Sequence, residues 1–281
     1  MTTKTIVSRQ LPFFLIPIRF IYRNIATRIF KKIRLFQVER ASISYLLWAN
    51  EDIGKRMMLQ GGYETSELLA FKKLIHDGDV CIDVGGNVGI FSLNFAKCCG
   101  PHGHVYAIEP MRKNQLVIEL AAEINGFKNV AIFPYALSDR AGSVVLEIPS
   151  VDGAYAYIKS TREDGKFDQL TVRCLPLDKF VQEQEIKRVD ILKIDVEGAE
   201  KLVLDGGREI LSDINRRPRV VMVELVDEFL ARYATTVSEV LTMMSGLGFA
   251  PFYAQGNGEL VPFSNEDINK IFNVFFLLGN S

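Results

Sequence analysis

The sequence predicts an α/β protein built on a doubly wound, mostly parallel sheet of seven strands, with an inserted β-hairpin and an N-terminal helical arm. Three observations carry that prediction. Short apolar runs of strand length alternate with longer segments of helical periodicity, the pattern of strands joined by crossover helices. The run Asp79-Val-Cys-Ile-Asp-Val-Gly-Gly-Asn-Val-Gly-Ile-Phe91 reads as a strand, a glycine-rich turn and the start of a helix. Acidic residues recur at strand ends, on the edge where such sheets bind ligands.

The elements follow in order. After Gly61-Gly62 a helix is expected from Thr65 or Ser66 to about Ile75, stopped by His76-Asp77-Gly78-Asp79. Val80–Val84 is the first strand and Val88–Cys98 its helix. His104–Glu109 is the second strand, followed by a helix over Asn114–Ile124 with Gly126 at its end. Val130–Tyr135 is the third. The segments Gly142–Ile148 and Leu170–Leu175 read as an inserted hairpin around a polar stretch, residues 150–169. Alternation resumes with a strand at Asp190–Asp195 and a helical segment, Ala199–Leu211, interrupted by Gly206-Gly207. Val220–Val226 is the fifth strand. Thr236-Val-Ser-Glu239 is a capping box opening a helix that ends near Gly246–Gly248. Phe249–Ala254 and Ile271–Leu278 complete the sheet.

This pattern occupies residues 51–281 and leaves 1–50 as an arm. Residues 1–40 carry nine Lys and Arg against Glu39 alone, a net +8, so the rest of a chain of net charge −1 sums to −9. The longest apolar run of the arm, Leu11 to Ile18, is far below the roughly 20 residues of a membrane span. It also lacks the small-residue site of a cleaved signal. Ile18, Ile21, Tyr22, Ile25, Ile29 and Ile33 recur at helical spacing, with Arg19, Arg23, Lys31 and Arg34 off that stripe. A basic amphipathic helix of this kind either packs on the domain or touches a membrane surface peripherally. The core's −9 makes nucleic acid an unexpected partner. Cys81, Cys98, Cys99 and Cys174 show no metal or disulfide spacing, which fits a reducing cytoplasm.

The turn Gly85-Gly86-Asn87-Val88-Gly89 is not the Gly-x-Gly-x-x-Gly of pyrophosphate binders, since Asn87 stands where a glycine is needed. A nucleoside ligand without pyrophosphate fits, and S-adenosylmethionine is the candidate. Glu109, ending the second strand, is placed to accept both ribose hydroxyls. Asp139, with the Ser138 backbone beside it, is placed for an adenine amino group. Asp83 and the turn at Gly85, Gly86, Asn87 and Gly89 would hold the methionine end, with free N–H groups toward its carboxylate. Each acid alone is as well explained as a helix cap or turn residue; four arriving in order at one edge are harder to explain that way. Lys193 and Asp195 lie two apart, on one face of the fourth strand. A buried lysine requires a carboxylate partner, so Lys193 reads either as part of a structural ion pair or as part of the site.

The run Gly78-Asp-Val-Cys-Ile-Asp-Val-Gly-Gly-Asn-Val-Gly89, then Glu109-Pro110, Ala136-Leu-Ser-Asp139 and Leu192-Lys-Ile-Asp-Val-Glu-Gly-Ala-Glu200, resembles the FkbM-type family of S-adenosylmethionine-dependent methyltransferases. Leu177-Asp178 and Gly62-Tyr-Glu64 match its layout as well. The resemblance covers about residues 60–255, and Gly86 stands where the family usually has alanine. It implies a class I, Rossmann-like methyltransferase fold and O-methylation of a sugar, polyketide or other small-molecule hydroxyl.

A methyl donor that is already activated needs mainly an acceptor oxygen held in line and a base for its proton. Asp195 is the first candidate base, with Glu197 and Glu224 as alternates. The three could instead hold a divalent cation, since hard cations want carboxylate oxygens. His76, His102 and His104 precede strands, at the wrong edge. A nicotinamide-dependent oxidoreductase of the same fold, and an inactive methyltransferase-like domain used to bind a membrane or partner, are the competing readings. Acceptor specificity is expected in the 150–169 loop, where Tyr155 and Tyr157 offer either stacking faces or a strand edge.

Overall fold

The computed structural model describes residues 35–49, 51–149, 156–159 and 167–279. The amphipathic stripe from Ile18 to Ile33, Tyr155 and most of the 150–169 loop lie outside them. The first elements are strands, β1 (Leu35–Arg40) and β2 (Ile43–Trp48), paired antiparallel. Their turn, Ala41-Ser42, has positive φ at both residues (48° and 58°), as a two-residue hairpin with the twist of the strands requires. Ile43, Tyr45 and Leu47 point inward. The last residues of the stretch read as an arm are therefore a hairpin packed on the body. Two short helices follow, α1 (Asp52–Leu59) and α2 (Thr65–Leu74).

The main sheet contains all seven expected strands and one more. They are β3 (Val80–Val84), β4 (His104–Ile108), β5 (Val130–Phe133), β10 (Ile191–Ile194), β11 (Val220–Glu224), β12 (Phe249–Ala254) and β14 (Asn273–Leu278). The eighth, β13 (Leu260–Pro262), is a short antiparallel edge beside β12. The order is β13-β12-β14-β11-β10-β3-β4-β5. β3, β4, β5, β10 and β11 run parallel, and β14 lies antiparallel between β11 and β12. Strands buried on both faces need continuous apolar runs. β10 and β11 supply them, apart from Lys193 and the half-buried Glu224 at the end of β11.

Crossover helices cover the sheet: α3 (Ile90–Cys98), α4 (Arg112–Asn125), α5 (Leu177–Glu183), α6 (Glu200–Asp205), α7 (Arg208–Ser212), α8 (Asp227–Leu230) and α9 (Val237–Gly246). α4 ends at Gly126 with φ of 72°. α9 opens with the expected capping box of Thr236 and Glu239. The break between α6 and α7 has a steric reason. A Cβ on Gly206 would stand 2.1 Å from the Ser138 carbonyl oxygen, so the chain passes there only as glycine. Between β5 and α5 the chain builds a second sheet from β6 (Ala136–Leu137), β7 (Gly142–Pro149), β8 (Tyr157–Ile158) and β9 (Phe167–Leu175), in the order β6-β9-β7-β8. The expected hairpin is its β7–β9 core.

Strand order reverses between β3 and β10. The crevice beyond their carboxyl ends is where a doubly wound sheet takes its ligand, and it is where the site lies. No helix among the described residues is long and apolar enough to cross a membrane.

Candidate functional site

A cleft runs along the carboxyl ends of β4, β3 and β10, roofed by the second sheet. Asn87, Glu109 and Asn114 line one end, Asp195 and Glu197 the other, and Leu146, Ala156 and Ile158 the roof. Gly85 lets the two ends meet. Its φ is +82°, and a Cβ there would stand 1.8 Å from the Asp195 carbonyl oxygen. Gly86 is different, because its Cβ would meet nothing closer than 3.4 Å. That room explains how alanine and glycine can both occupy the position.

The N–H groups of Gly85, Gly86, Asn87 and Gly89 are engaged internally, contrary to the expectation that they are free. Gly85 and Gly86 both donate to the Ile108 carbonyl at 3.0 Å, and Gly89 donates to Gly86 at 2.8 Å. Asn87 N donates to Glu109 Oε2 at 2.8 Å. Asp83 is fully buried and is not among the residues lining the cleft. It accepts from Ser92 Oγ at 2.5 Å and pairs with Lys193 Nζ at 3.1 Å. Asp83 is thus held by Ser92 and Lys193 beneath the turn. A carboxylate this deep needs such a cation.

Glu109 is almost completely buried. Its oxygens accept from the backbone of Asn87 and Met111, the latter at 2.7 Å. Burial raises its pKa to about 7, against the pull of those hydrogen bonds. Each carboxylate oxygen has a second lone pair, so ribose hydroxyls remain acceptable. Beside it, Asn114 on the first turn of α4 has a buried Oδ1 with no partner. That oxygen asks for a donor in the cleft, and a nucleoside provides one. Ser138 and Asp139 do not line the cleft as expected. Ser138 is buried behind it and donates to Asp139 Oδ1 at 3.0 Å, while Asp139 is exposed. The wall there is Tyr135, Ala136 and Leu137, because the chain turns into the second sheet three residues after β5.

Lys193 is nearly sealed from water. It donates to the Gly85 carbonyl at 2.9 Å and stands 3.1 Å from Asp83 and 3.4 Å from Asp195. Burial opposes its charge, but Asp83, Asp195 and Glu64 outweigh that and hold its pKa above the ordinary lysine value. Beyond Asp195 the chain turns sharply. Glu200 Oε1 accepts from the N–H of Val196 and of Gly198, both at 2.9 Å. This brace holds Glu197 in the left-handed region, at φ 57°. Burial, then Asp195 and Glu200, raise Glu197 to about 9. Glu224 at the end of β11 is pushed up by burial and by Asp195 and Glu197.

The sequence model of the methyltransferase FkbM domain matches residues 83–251, more than half of the chain. The chain belongs to the FkbM methyltransferase family. The hexuronic acid methyltransferase AglP of Haloferax volcanii is 28% identical to it over 167 residues, 59% of this chain. The match spans 64% of AglP, just under two thirds of that relative's length. The 31-O-demethyl-FK506 methyltransferase FkbM of Streptomyces tacrolimicus is 27% identical over 207 residues, 62% of this chain and 74% of that protein. Among solved structures, a methyltransferase FkbM from Methylobacillus flagellatus aligns with a TM-score of 0.44 at 10% identity, over 82% of this chain and 60% of that one.

Within this FkbM-family chain, three participants were not read as site residues from the sequence. Asn114 is one. Tyr63 and Glu64 are the others, brought to the Asp195 end by the turn ahead of α2. Burial, then the charges of Glu64, Asp195 and Glu224, push the Tyr63 phenol up. Glu64 is raised to about 7 by burial and then by Asp195. The available signal was the Gly62-Tyr-Glu64 match to the family layout, which carries no role by itself. Tyr157 is buried in β8 and offers no open face for stacking, since the Arg232 guanidinium lies 4.5 Å from its ring centre.

Proposed function

We propose that this FkbM-family protein is an S-adenosylmethionine-dependent O-methyltransferase acting on a hydroxyl of a sugar or another small-molecule acceptor. One observation carries the reading: a single cleft joins the nucleoside-type end, with Asn87, Glu109 and Asn114, to the acid end, with Asp195 and Glu197. The unpartnered buried Oδ1 of Asn114 fits a nucleoside donor. In this reading Glu109 accepts the ribose hydroxyls and Asn114 fixes the nucleoside edge. Asp195 takes the proton of the attacking hydroxyl, with Lys193 holding its Oδ2 in place. The cofactor supplies an activated methyl when bound. The enzyme's share is alignment and a base, worth about 10²–10⁴ for the base alone.

Family membership supports the reaction class. Two relatives, one a hexuronic acid methyltransferase and one a 31-O-demethyl-FK506 methyltransferase, support a sugar or small-molecule acceptor, and the second supports a hydroxyl as the group methylated. The test is titration calorimetry with S-adenosylhomocysteine, with NAD as the control and Glu109→Ala alongside. Binding of the homocysteine form that the variant loses is the expected result. NAD binding in its place would overturn the reading in favour of an oxidoreductase.

A further inference from the structure

Three carboxyl groups converge at the acid end of the cleft, beyond the ends of β10 and β11. One oxygen from each of Asp195, Glu197 and Glu224 lies within 4.8 Å of the other two. Hard divalent cations hold oxygens at roughly 2.0–2.6 Å. Oxygens separated by no more than about twice that distance can share a single ion. The three residues are half-buried, so a ligand placed among them is partly withdrawn from water yet reachable from the cleft.

Clustered acids alone would not make a site, but the partners of the surrounding groups point the same way. Glu224 is half-buried at the end of β11, and its side chain has no hydrogen-bond or ion-pair partner among the described residues. Glu64 reaches the same place from the turn before α2, where it feels the charges of Asp195 and Lys193. Its Oε2 is buried with no hydrogen-bond partner. Glu64 meets the Tyr63 hydroxyl and feels the charge of Lys193, but its Oε2 stays unanswered, and so does the Glu224 carboxyl, an arrangement that is costly unless a cation or proton fills it. The cations at hand are already engaged. Lys193 is shared among Asp83, the Gly85 carbonyl and Asp195. Arg232 lies over the rings of Tyr157 and Phe229 and donates to the backbone of Glu197 at 3.4 Å.

We propose that Asp195, Glu197 and Glu224 bind one divalent cation of the Mg2+ or Mn2+ type, with Glu64 behind them receiving a hydrogen bond from a water on the ion. The inference rests on reading this end of the cleft as the acceptor side. An ion there supplies a coordination position for the acceptor oxygen and lowers its pKa. The acceptor's proton would then pass to a carboxylate oxygen of Asp195 as the methyl group leaves sulfur for the acceptor oxygen. A pair of adjacent hydroxyls, as on a sugar, would chelate such an ion better than an isolated one.

The experiment uses the full chain, stripped with a chelator and titrated with Mn2+ by electron paramagnetic resonance and calorimetry. The same sample is then titrated with S-adenosylhomocysteine. One saturable Mn2+ per chain, displaced by Mg2+, is expected. Glu224→Gln and Glu197→Gln should each weaken it by about tenfold or more, the scale on which even outer-shell changes act on metal sites. Unchanged homocysteine-form affinity in those variants shows that they are folded. Absence of saturable Mn2+ binding in a chain that binds S-adenosylhomocysteine overturns the cation site and leaves the cofactor reading standing. Equal Mn2+ affinity in Glu224→Gln and the parent also overturns it. Mn2+ bound without S-adenosylhomocysteine would support the cation site while sinking the cofactor reading.

Discussion

Gly85→Ala and Gly86→Ala, one residue apart, are expected to have opposite effects. At Gly85 the backbone is left-handed, at φ +82°, which costs an L residue about 1–2 kcal/mol. The new Cβ would also lie 1.8 Å from the Asp195 carbonyl oxygen. Ordinary contact is about 3.5 Å, so the turn and the end of β10 must separate by roughly 1.7 Å. Asp195 N donates to the Val84 carbonyl at 3.1 Å, and that bond goes with the separation. Overpacking of this kind costs about 1–3 kcal/mol, for a total of roughly 2–5 kcal/mol. In a domain of this size that lowers the melting temperature by roughly 10 °C, and the displaced turn should lose S-adenosylhomocysteine. Gly86 has no such conflict, with 3.4 Å of clearance. Removing a glycine's unfolded-state freedom there should stabilise by about 0.4–1 kcal/mol. Thermal unfolding and calorimetry on both variants decide the matter. A Gly85→Ala melting temperature equal to the parent's, or a Gly86→Ala loss as large as that of Gly85→Ala, refutes the reasoning.

Asp195→Asn should lower turnover by about 10²–10⁴ with S-adenosylhomocysteine affinity intact; full turnover would remove Asp195 from the role of base. Lys193→Met leaves Asp83 buried without its cation and should cost about 3–5 kcal/mol in denaturant unfolding. Adding Asp83→Asn should recover much of that loss, and a double variant no better than the single would contradict the pairing. Glu200 is nearly sealed, and burial holds its pKa at about 7, above the ordinary glutamate value. The folded state therefore keeps a proton that the unfolded chain releases, so this group's contribution to stability falls as pH rises from about 4.5 to 7. Glu200→Gln keeps an oxygen for both N–H donors and should gain on the parent by up to about 3 kcal/mol between pH 5 and 8; a pH-independent difference would refute the assignment.

Much of this architecture is legible in the sequence because its local signals agree with its tertiary structure. The strand ending in Asp83, the break at Gly206-Gly207 and the capping box at Thr236 follow from short-range chemistry. The β1–β2 hairpin was not legible because its turn is Ala41-Ser42. The Asn-Gly or Asp-Gly that usually marks a turn with two positive φ angles is absent. Spacing correctly places Asp83 and Glu109 at strand ends but says nothing of which way a carboxyl group turns. Asp83 turns inward because Lys193, 110 positions away, needs it. Ser138 falls out of the cleft because β6 leaves the main sheet to pair with β9. Convergence of distant segments is the least legible feature. Glu64 reaches Asp195 only through the path of the chain before α2.

The segment Lys193-Ile-Asp-Val-Glu-Gly-Ala-Glu200 shows why a motif can be this long when few of its residues touch ligand. Ile194 is buried and fixes the strand, so Lys193 and Asp195 fall on its other face. Lys193 draws Asp83, Gly85 and Asp195 together across the β3–β10 junction. Gly198 must be glycine, because at φ +108° a Cβ would stand 2.4 Å from the Phe229 carbonyl oxygen. Glu200 clamps the N–H groups on both sides of Glu197 and forces it left-handed. Non-glycine residues persist in that region only when their surroundings over-determine them, at about 1–3 kcal/mol each. Asn87, at φ 47° on the cleft, and Glu64, at φ 44° in the turn before α2, meet the same condition. Asn87 and Glu197 line the cleft itself, and Glu64 lies close enough to Asp195 to feel its charge. At these positions the local strain sets where the Asn87, Glu197 and Glu64 side chains are aimed, and the Glu200 clamp is what maintains it at Glu197.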